Sequence, residues 1–252
     1  MNVRRRLDVE VTRRGMAESR EAARRLIEAG RVTVNGQTAV KPAYMVLDSA
    51  AVVVTKQPGD DYASRGAHKL VGALDTCVPL GLRPPAGRMC LDAGASTGGF
   101  TDVLLRRGCA GVIAVDVGYG QLQWRLQSDP RVTVLDRCNI RSITPADLPF
   151  TPDLVVADLS FISLTVVLPA LASVVAADGD MVLMVKPQFE VGRQALGRGG
   201  VVRDPVERTR AVDTVAAVAA ELGWPEIARA ASPLPGPAGN VEFFVWLQAT
   251  TS

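Results

Sequence analysis

Hydrophobic residues along the chain follow two spacings, a helical one and a strand-like alternation, and these mark its elements. Near the start the helical spacing predicts a helix from about Arg6 to Arg14, stopped at Gly15. Ser19 is placed to cap a second helix, with Glu21 in its first turn and Ala22, Ala23, Leu26 and Ile27 on one face; Gly30 ends it. Alternation then takes over. Arg31 to Val34 and Gln37 to Val40 flank Asn35-Gly36, which is the signature of a hairpin with a type I′ turn. Lys41-Pro42 breaks that strand, and Ala51 to Thr55 supplies another. Gln57-Pro-Gly-Asp-Asp-Tyr62 is polar and turn-rich and reads as a linker.

From Ser64 onward strands and helices alternate. A helix through Leu74 and a proline-rich loop precede a strand ending at Ala93. Thr101 to Gly108 is helical, Gly111 to Asp116 a strand, Leu122 to Leu126 a helix and Val132 to Leu135 a strand. Asp153 to Ala157, the helix Leu164 to Ala177 and the strand Asp180 to Val185 follow. A glycine-rich loop from Gly192 to Val202 leads to a long helix, Asp204 to Leu222. Two last strands, Ile227 to Ala231 and Val241 to Leu247, are joined through a proline- and glycine-rich connection. This alternation predicts an α/β domain with a doubly wound sheet and an antiparallel terminal pair. The expected division is a small α+β domain over 1–57, a linker over 58–63 and the sheet domain over 64–252.

One stretch carries the clearest chemical signal. Leu91-Asp-Ala-Gly-Ala-Ser-Thr-Gly-Gly-Phe100 joins a strand to a helix through a glycine-rich turn, the place where α/β sheets receive nucleotide-like ligands. The next strand ends at Asp116, an acid able to accept hydrogen bonds from two ribose hydroxyls. The turn reads Asp92-x-Gly94-x-x-x-Gly98-Gly99 and departs from the dinucleotide pattern G-x-G-x-x-G. Gly94 and Gly98 are expected to let backbone approach a ligand that a β-carbon would strike. The spacing resembles the S-adenosylmethionine loop of class I, Rossmann-like methyltransferases. The expected cofactor contacts are Asp92, Gly94, Ser96, Thr97, Gly98, Gly99, Phe100, Asp116, Val117 and Asp158, with Asp136 or Asn139 against the adenine.

Charge changes the picture at the amino-terminal end. Net charge is only +2, yet residues 1–57 hold 11 Lys and Arg against 6 Asp and Glu. A basic head on a mildly acidic body suggests a polyanion-binding module. The four cysteines lie far apart without a C-x-x-C spacing, and His68 is the only histidine, so no metal site is expected. The longest near-apolar run, Val166 to Ala177, is too short to span a bilayer, and Met1-Asn-Val-Arg-Arg-Arg6 is not followed by the apolar core of a signal peptide. These features point to a cytoplasmic protein.

Four ionisable residues fall where a substrate would meet the cofactor: Lys69, Asp158, Lys186 and Glu242. Two lysines and two carboxylates suit methyl transfer to a ribose hydroxyl, with Lys186 beside the hydroxyl and the other three orienting it. Exocyclic-amine methylation uses an Asn/Asp-Pro-Pro-aromatic turn where this chain has Asp158-Leu-Ser-Phe161. Pyrimidine C5 methylation uses a nucleophilic cysteine, and none of the four is so placed.

Arg6-Leu-Asp, Ser19-Arg20, Leu26-Ile-x-x-Gly30, Val32-x-Val34-Asn35-Gly36 and Lys41-Pro42 are similar to the S4 RNA-binding fold. That resemblance implies an RNA surface on the second helix and the hairpin, with Arg4, Arg6, Arg14, Arg20, Arg31 and Lys41 meeting phosphate. Ser64-Arg-Gly-Ala-His-Lys69, the glycine stretch, Asp116-Val-Gly-Tyr-Gly-Gln-Leu122, Ala157-Asp-Leu-Ser-Phe161, Val185-Lys-Pro-Gln-Phe-Glu190 and Gly239-Asn-Val-Glu242 together resemble the TlyA family. This family comprises S4-domain 2′-O-methyltransferases of ribosomal RNA, often labelled hemolysins. The resemblance implies Lys69, Asp158, Lys186 and Glu242 as a catalytic tetrad and S-adenosyl-L-methionine as cofactor. It implies cytidine ribose in 30S and 50S subunit RNA as substrate, and a link to capreomycin and viomycin susceptibility. Arg65, Arg137 and Arg141 are further expected RNA contacts, and Phe161 is suited to stack on an extruded base. A monomer is expected. Two other readings stay open on the residues alone: a non-catalytic RNA-binding assembly factor, and a membrane-active protein.

Overall fold

The computed structural model describes residues 4–17, 19–55, 61–236 and 238–249. The chain forms two compact units, Met1–Asp61 and Tyr62–Ser252. Of the stretch read as a linker, 58–63, residues 58–60 lie outside the described residues.

The first unit packs two helices, α1 (Leu7–Arg13) and α2 (Arg20–Glu28), on short strands. The strands are β1 (Arg4–Arg6), β2 (Val32–Val34), β3 (Gln37–Ala39), β4 (Met45–Leu47) and β5 (Val52–Val54). Ser19 caps α2, its hydroxyl accepting from the Ala22 N–H, and Leu7, Val11, Ala23 and Ile27 bury one face of each helix against Val32, Val46 and Val52. Asn35 and Gly36 take positive φ of 50° and 80°, as a type I′ turn demands, and β2 pairs antiparallel with both β3 and β5. The β1–β4 ladder was not legible beforehand. Arg4-Arg-Arg6 has no alternation, and its strand exists only because β4 pairs with it.

The second unit is a seven-stranded sheet in the order β11-β12-β10-β9-β6-β7-β8. Its strands are β6 (Met89–Ala93), β7 (Gly111–Val115), β8 (Val132–Leu135), β9 (Leu154–Ala157), β10 (Asp180–Val185), β11 (Glu226–Ala231) and β12 (Phe243–Gln248). The first five run parallel, and β12 inserts antiparallel between β10 and β11. Side chains alternate strictly between two apolar layers, because successive residues of a strand point to opposite faces. Cys90, Leu154, Val156, Val182, Met184, Phe244 and Trp246 join the layer under α3 (Ala67–Cys77) and α4 (Gly99–Arg106). Leu91, Val155, Ala157, Leu183, Val185 and Val245 join the layer under α6 (Leu164–Val174) and α8 (Pro205–Glu221). Two short helices complete the unit, α5 (Trp124–Gln127) and α7 (Pro187–Glu190).

Several boundaries differ from expectation, α6 for instance ending at Val174 rather than Ala177, and two of them bear on the site. The helix expected from Ser64 begins at Ala67, because Ser64 to Gly66 form a turn that feeds it. The last strand starts at Phe243, which leaves Val241 and Glu242 in the loop above the sheet edge.

At the amino edge of the sheet, Asp180 is fully buried and accepts from Trp246 Nε1, Gln248 Nε2 and Arg88, while Arg88 also holds Asp153. Among the described residues, no fully buried side-chain polar atom of that cluster lacks a partner, so this end of the sheet is a fixed base.

Candidate active site

Strand register brings the four ionisable residues to one edge. Val185 pairs with Phe243, so Lys186 just past β10 lies across from Glu242 just before β12. Ala157 pairs with Leu183 and with Ala93, so Asp158 stands beside β10 on one side and the glycine turn on the other. Lys69 enters from the first turn of α3. The four form two ion pairs. Lys186 Nζ is 2.6 Å from Asp158 Oδ1, and Lys69 Nζ is 2.5 Å from Glu242 Oε2. Lys69, Lys186 and Glu242 are buried, and Lys69 Nζ also lies 3.8 Å from Met184 Sδ.

Two partners were not singled out from the sequence. Ser160 Oγ accepts from Lys186 Nζ at 2.9 Å, and Gln188 Nε2 donates to Glu242 Oε1 at 3.4 Å. Each stands two residues beyond a tetrad member, Asp158 and Lys186. That spacing was the available signal, since both loops leave the same sheet edge. Gly236 is required by close approach: a β-carbon there would come within 2.5 Å of Glu242 Oε1.

The glycine turn behaves differently from expectation. Gly94 and Gly98 do have positive φ, 85° and 100°. The space a β-carbon would take, however, belongs to the protein. At Gly94 it meets the Asp158 carbonyl at 2.8 Å, at Gly98 the Leu126 side chain at 2.2 Å, and at Gly99 Ser64 Oγ at 2.3 Å. These glycines therefore let neighbouring segments close on the turn. Phe100 is also internal, its ring buried 6.1 Å from Phe244. What the turn leaves open is its rim, the exposed Ser96 and Thr97 with half-buried Gly94.

The acids around that rim have distinct settings. Asp116 Oδ2 accepts from the Ser96 N–H at 2.8 Å and Oδ1 from the Gly118 N–H at 2.7 Å, which fixes the carboxylate and leaves each oxygen a further lone pair for a ribose hydroxyl. Beside it Val117 is 68% exposed, an apolar face open to a ring. Asp136 accepts from the Gly120 N–H and Asn139 caps a short turn through the Arg141 N–H, so both already shape backbone on that side. Asp92 is wholly buried. Its Oδ2 accepts from Thr101 Oγ1 at 2.6 Å and its Oδ1 has no partner. Burial pushes its carboxyl up to about 7; the Thr101 hydrogen bonds pull it back, and the charges of Asp158 and Asp116 push the same way as burial. A buried orphan oxygen beneath an open rim, a fixed ribose-height acid and an exposed apolar face together fit a cationic nucleoside cofactor.

Phe161 is 90% exposed and takes φ 65°, a conformation that bulky side chains rarely adopt. Its ring lies 5.4 Å from that of Phe189, itself 6.0 Å from Lys186 Nζ.

A model of the FtsJ-like methyltransferases matches residues 62–249, and an S4-domain model matches residues 5–52. The chain belongs to the FtsJ-like methyltransferase family. The 16S/23S rRNA (cytidine-2'-O)-methyltransferase TlyA of Mycobacterium tuberculosis is 56% identical over 98% of this chain and 91% of its own. Hemolysin A of Brachyspira hyodysenteriae is 36% identical over 94% and 97% of the two chains. A solved protein from Streptococcus thermophilus, named a hemolysin, shares a TM-score of 0.75 and 38% identity over 100% of this chain and 90% of that one. The fold is thus a Rossmann-like methyltransferase sheet with an S4 domain ahead of it. Among the described residues, no helix is long and apolar enough to cross a membrane.

In this methyltransferase the basic residues of the S4 domain divide into two groups. Arg6 and Arg20 both hold the buried Asp8, and Arg14 holds the buried Glu10 together with the Asp48 and Ala50 carbonyls. Arg31 donates to the Thr55 carbonyl. These arginines have structural work of their own, which charge counting did not reveal. Hydrogen bonds from Arg6 hold Asp8 down to about 2, and those from Arg13 do the same for Glu10. Arg4 and Lys41 are exposed. In the second unit Arg65, Arg137 and Arg141 are exposed, with the Arg137 guanidinium 4.4 Å over the Tyr119 ring.

Proposed function

We propose that the enzyme transfers the methyl group of S-adenosyl-L-methionine to the 2′-hydroxyl of cytidine in 16S and 23S ribosomal RNA, acting as a cytoplasmic monomer on 30S and 50S subunits. The observation that carries this reading is the pair of lysine–carboxylate contacts beside the glycine turn, three of their residues at adjacent strand ends and Lys69 on α3. Bound S-adenosylmethionine supplies a methyl carbon on a positive sulfur, ready for displacement. The rim of Gly94, Ser96 and Thr97, Asp116 and Val117 would hold it, with the orphan Asp92 oxygen below.

Lys186 would hold the substrate oxygen. An ammonium has three donors; Ser160 accepts one, Asp158 stands in ion-pair contact, and a donor remains available to the 2′-oxygen. That contact strengthens as negative charge gathers on the oxygen, which is the condition for catalysis. The 2′-oxygen would bond to the methyl carbon that the cofactor supplies, the electrons of the carbon–sulfur bond would stay with the departing thioether, and the hydroxyl proton would pass to solvent water. Lys69 and Glu242 form the second wall, and Gln188 fixes Glu242. Most of the acceleration would come from aligning oxygen, carbon and sulfur. Phe161 would stack on the base whose ribose is presented, and the exposed cations Arg4, Lys41, Arg65, Arg137 and Arg141 would neutralise phosphate, while Arg6, Arg14, Arg20 and Arg31 chiefly hold the S4 domain's own acids and carbonyls.

Methyl transfer from tritiated S-adenosylmethionine to unmodified 30S and 50S subunits tests this reading. Lys186→Ala is expected to lower turnover by about 100-fold or more while cofactor affinity stays within about threefold. Transfer to neither subunit by the wild-type enzyme would overturn the reading.

A further inference from the structure

The loops that carry Asp158 and Lys186 are fastened together by a residue outside the tetrad. Glu190 ends α7, four positions after Lys186. Its Oε2 accepts from Ser163 Oγ at 2.5 Å and its Oε1 from the Leu164 N–H at 2.9 Å. Ser163 is the N-cap of α6, where its hydroxyl also accepts from the Thr165 N–H. A carboxylate at the start of an eleven-residue helix is favoured by the helix dipole and satisfies a donor that has no partner within the helix.

The segment Asp158 to Ser163 is therefore held at both ends by five consecutive residues. Lys186 fixes the first end through Asp158 and Ser160, and Glu190 fixes the other through Ser163 and Leu164. Between the two anchors stands Phe161 with its positive φ and exposed ring. A bulky residue in that conformation is strained and persists only where its surroundings leave the backbone no alternative. With one anchor removed, φ can return to the negative range and the ring can fold onto apolar surface. Asp158 and Ser160, the partners of Lys186, sit on the same short segment and would move with it.

We infer that Glu190 is a positioning residue, holding Phe161 out into solvent and the partners of Lys186 in register without touching the reacting atoms. Its kinetic consequence rests on the ribosomal-RNA reading above; its structural consequence does not. Glu190→Gln keeps an acceptor for the Leu164 N–H and turns an amide N–H toward Ser163 Oγ, whereas Glu190→Ala removes both contacts.

The test uses full-length protein carrying 4-fluorophenylalanine at position 161, followed by fluorine NMR without RNA, alongside methyl transfer to ribosomal subunits. Glu190→Ala is expected to shift and broaden the fluorine resonance and to lower kcat by about 10- to 100-fold, with cofactor affinity within about twofold. Glu190→Gln is expected to keep the wild-type resonance and a kcat within about threefold of wild type. An unchanged resonance in Glu190→Ala overturns the inference, and so does equal loss in both variants. If Glu190→Ala does not fold, Ser163→Ala, which removes one anchor contact, takes its place, and an unchanged resonance there is equally fatal. Absence of methyl transfer by the wild type would bring down the functional reading, while the resonance still decides the role of Glu190.

Discussion

At the scale of single residues, buried carboxyls in the two units respond to pH in opposite directions. Asp92 is held near 7 by burial, above the ordinary carboxylate value, so the proton it carries stabilises the folded state. That contribution is complete below about pH 4 and is lost as pH rises through about 7; over three pKa units it amounts to at most about 4 kcal/mol. Asp92→Asn, which cannot ionise, should therefore gain thermal stability over wild type at pH 8 and lose that advantage at pH 5, with no cofactor present. Equal differences at both pH values would contradict the assignment. Asp8 and Glu10 work the other way. Both are held down to about 2 by arginine hydrogen bonds, so their contribution is present above about pH 4 and disappears as pH falls toward 2. Arg14→Ala strips the buried Glu10 of one partner and two carbonyls of their donor. It should destabilise the first unit by about 2–4 kcal/mol, read as an earlier first transition in calorimetry.

At the scale of elements, the glycine turn is the sharpest case. Gly94→Ala would impose a positive φ on alanine and drive its β-carbon toward the Asp158 carbonyl. Loss of cofactor binding by at least about tenfold is expected, together with a fall of about 1–3 kcal/mol in stability. Calorimetric titration with S-adenosylhomocysteine and a thermal melt measure both. The sequence showed that a glycine was needed here but misplaced the reason, because a turn seen in one dimension does not reveal which segment closes on it. β6, β7, β9 and β10 were legible because both their faces are buried, and α8 because a single buried face gives it helical spacing. β1 and β4 were not, because neither is marked by an alternation or a flanking hairpin turn such as Asn35-Gly36, and they exist by mutual pairing. Ser160, Gln188 and Glu190 went unassigned for a related reason: their roles depend on contacts between loops far apart in the chain.

At the scale of the whole molecule, positive charge is concentrated where the S4 domain lies, and on the proposed reading counterion release is expected to make RNA binding steeply salt-dependent. Lys41→Ala, at an exposed position, should reduce the slope of log affinity against log salt by about one without altering the first melting transition. A melt shifted as far as in Arg14→Ala would place Lys41 among the structural cations. Which arginines are structural could not be told from charge counts, since Asp8 and Glu10 look like ordinary surface acids until α1 buries them.

The insertion of β12 between β10 and β11 has an effect during synthesis. Every neighbour of this strand is translated before it, so the sheet stays split until Phe243 to Gln248 leave the ribosome. A polypeptide halted even ten residues short of that strand would lack Glu242, leave the apolar flank of β10 unzipped and invite clumping. Late nonsense and frameshift alleles should thus behave as complete knockouts, however much of the reading frame they preserve.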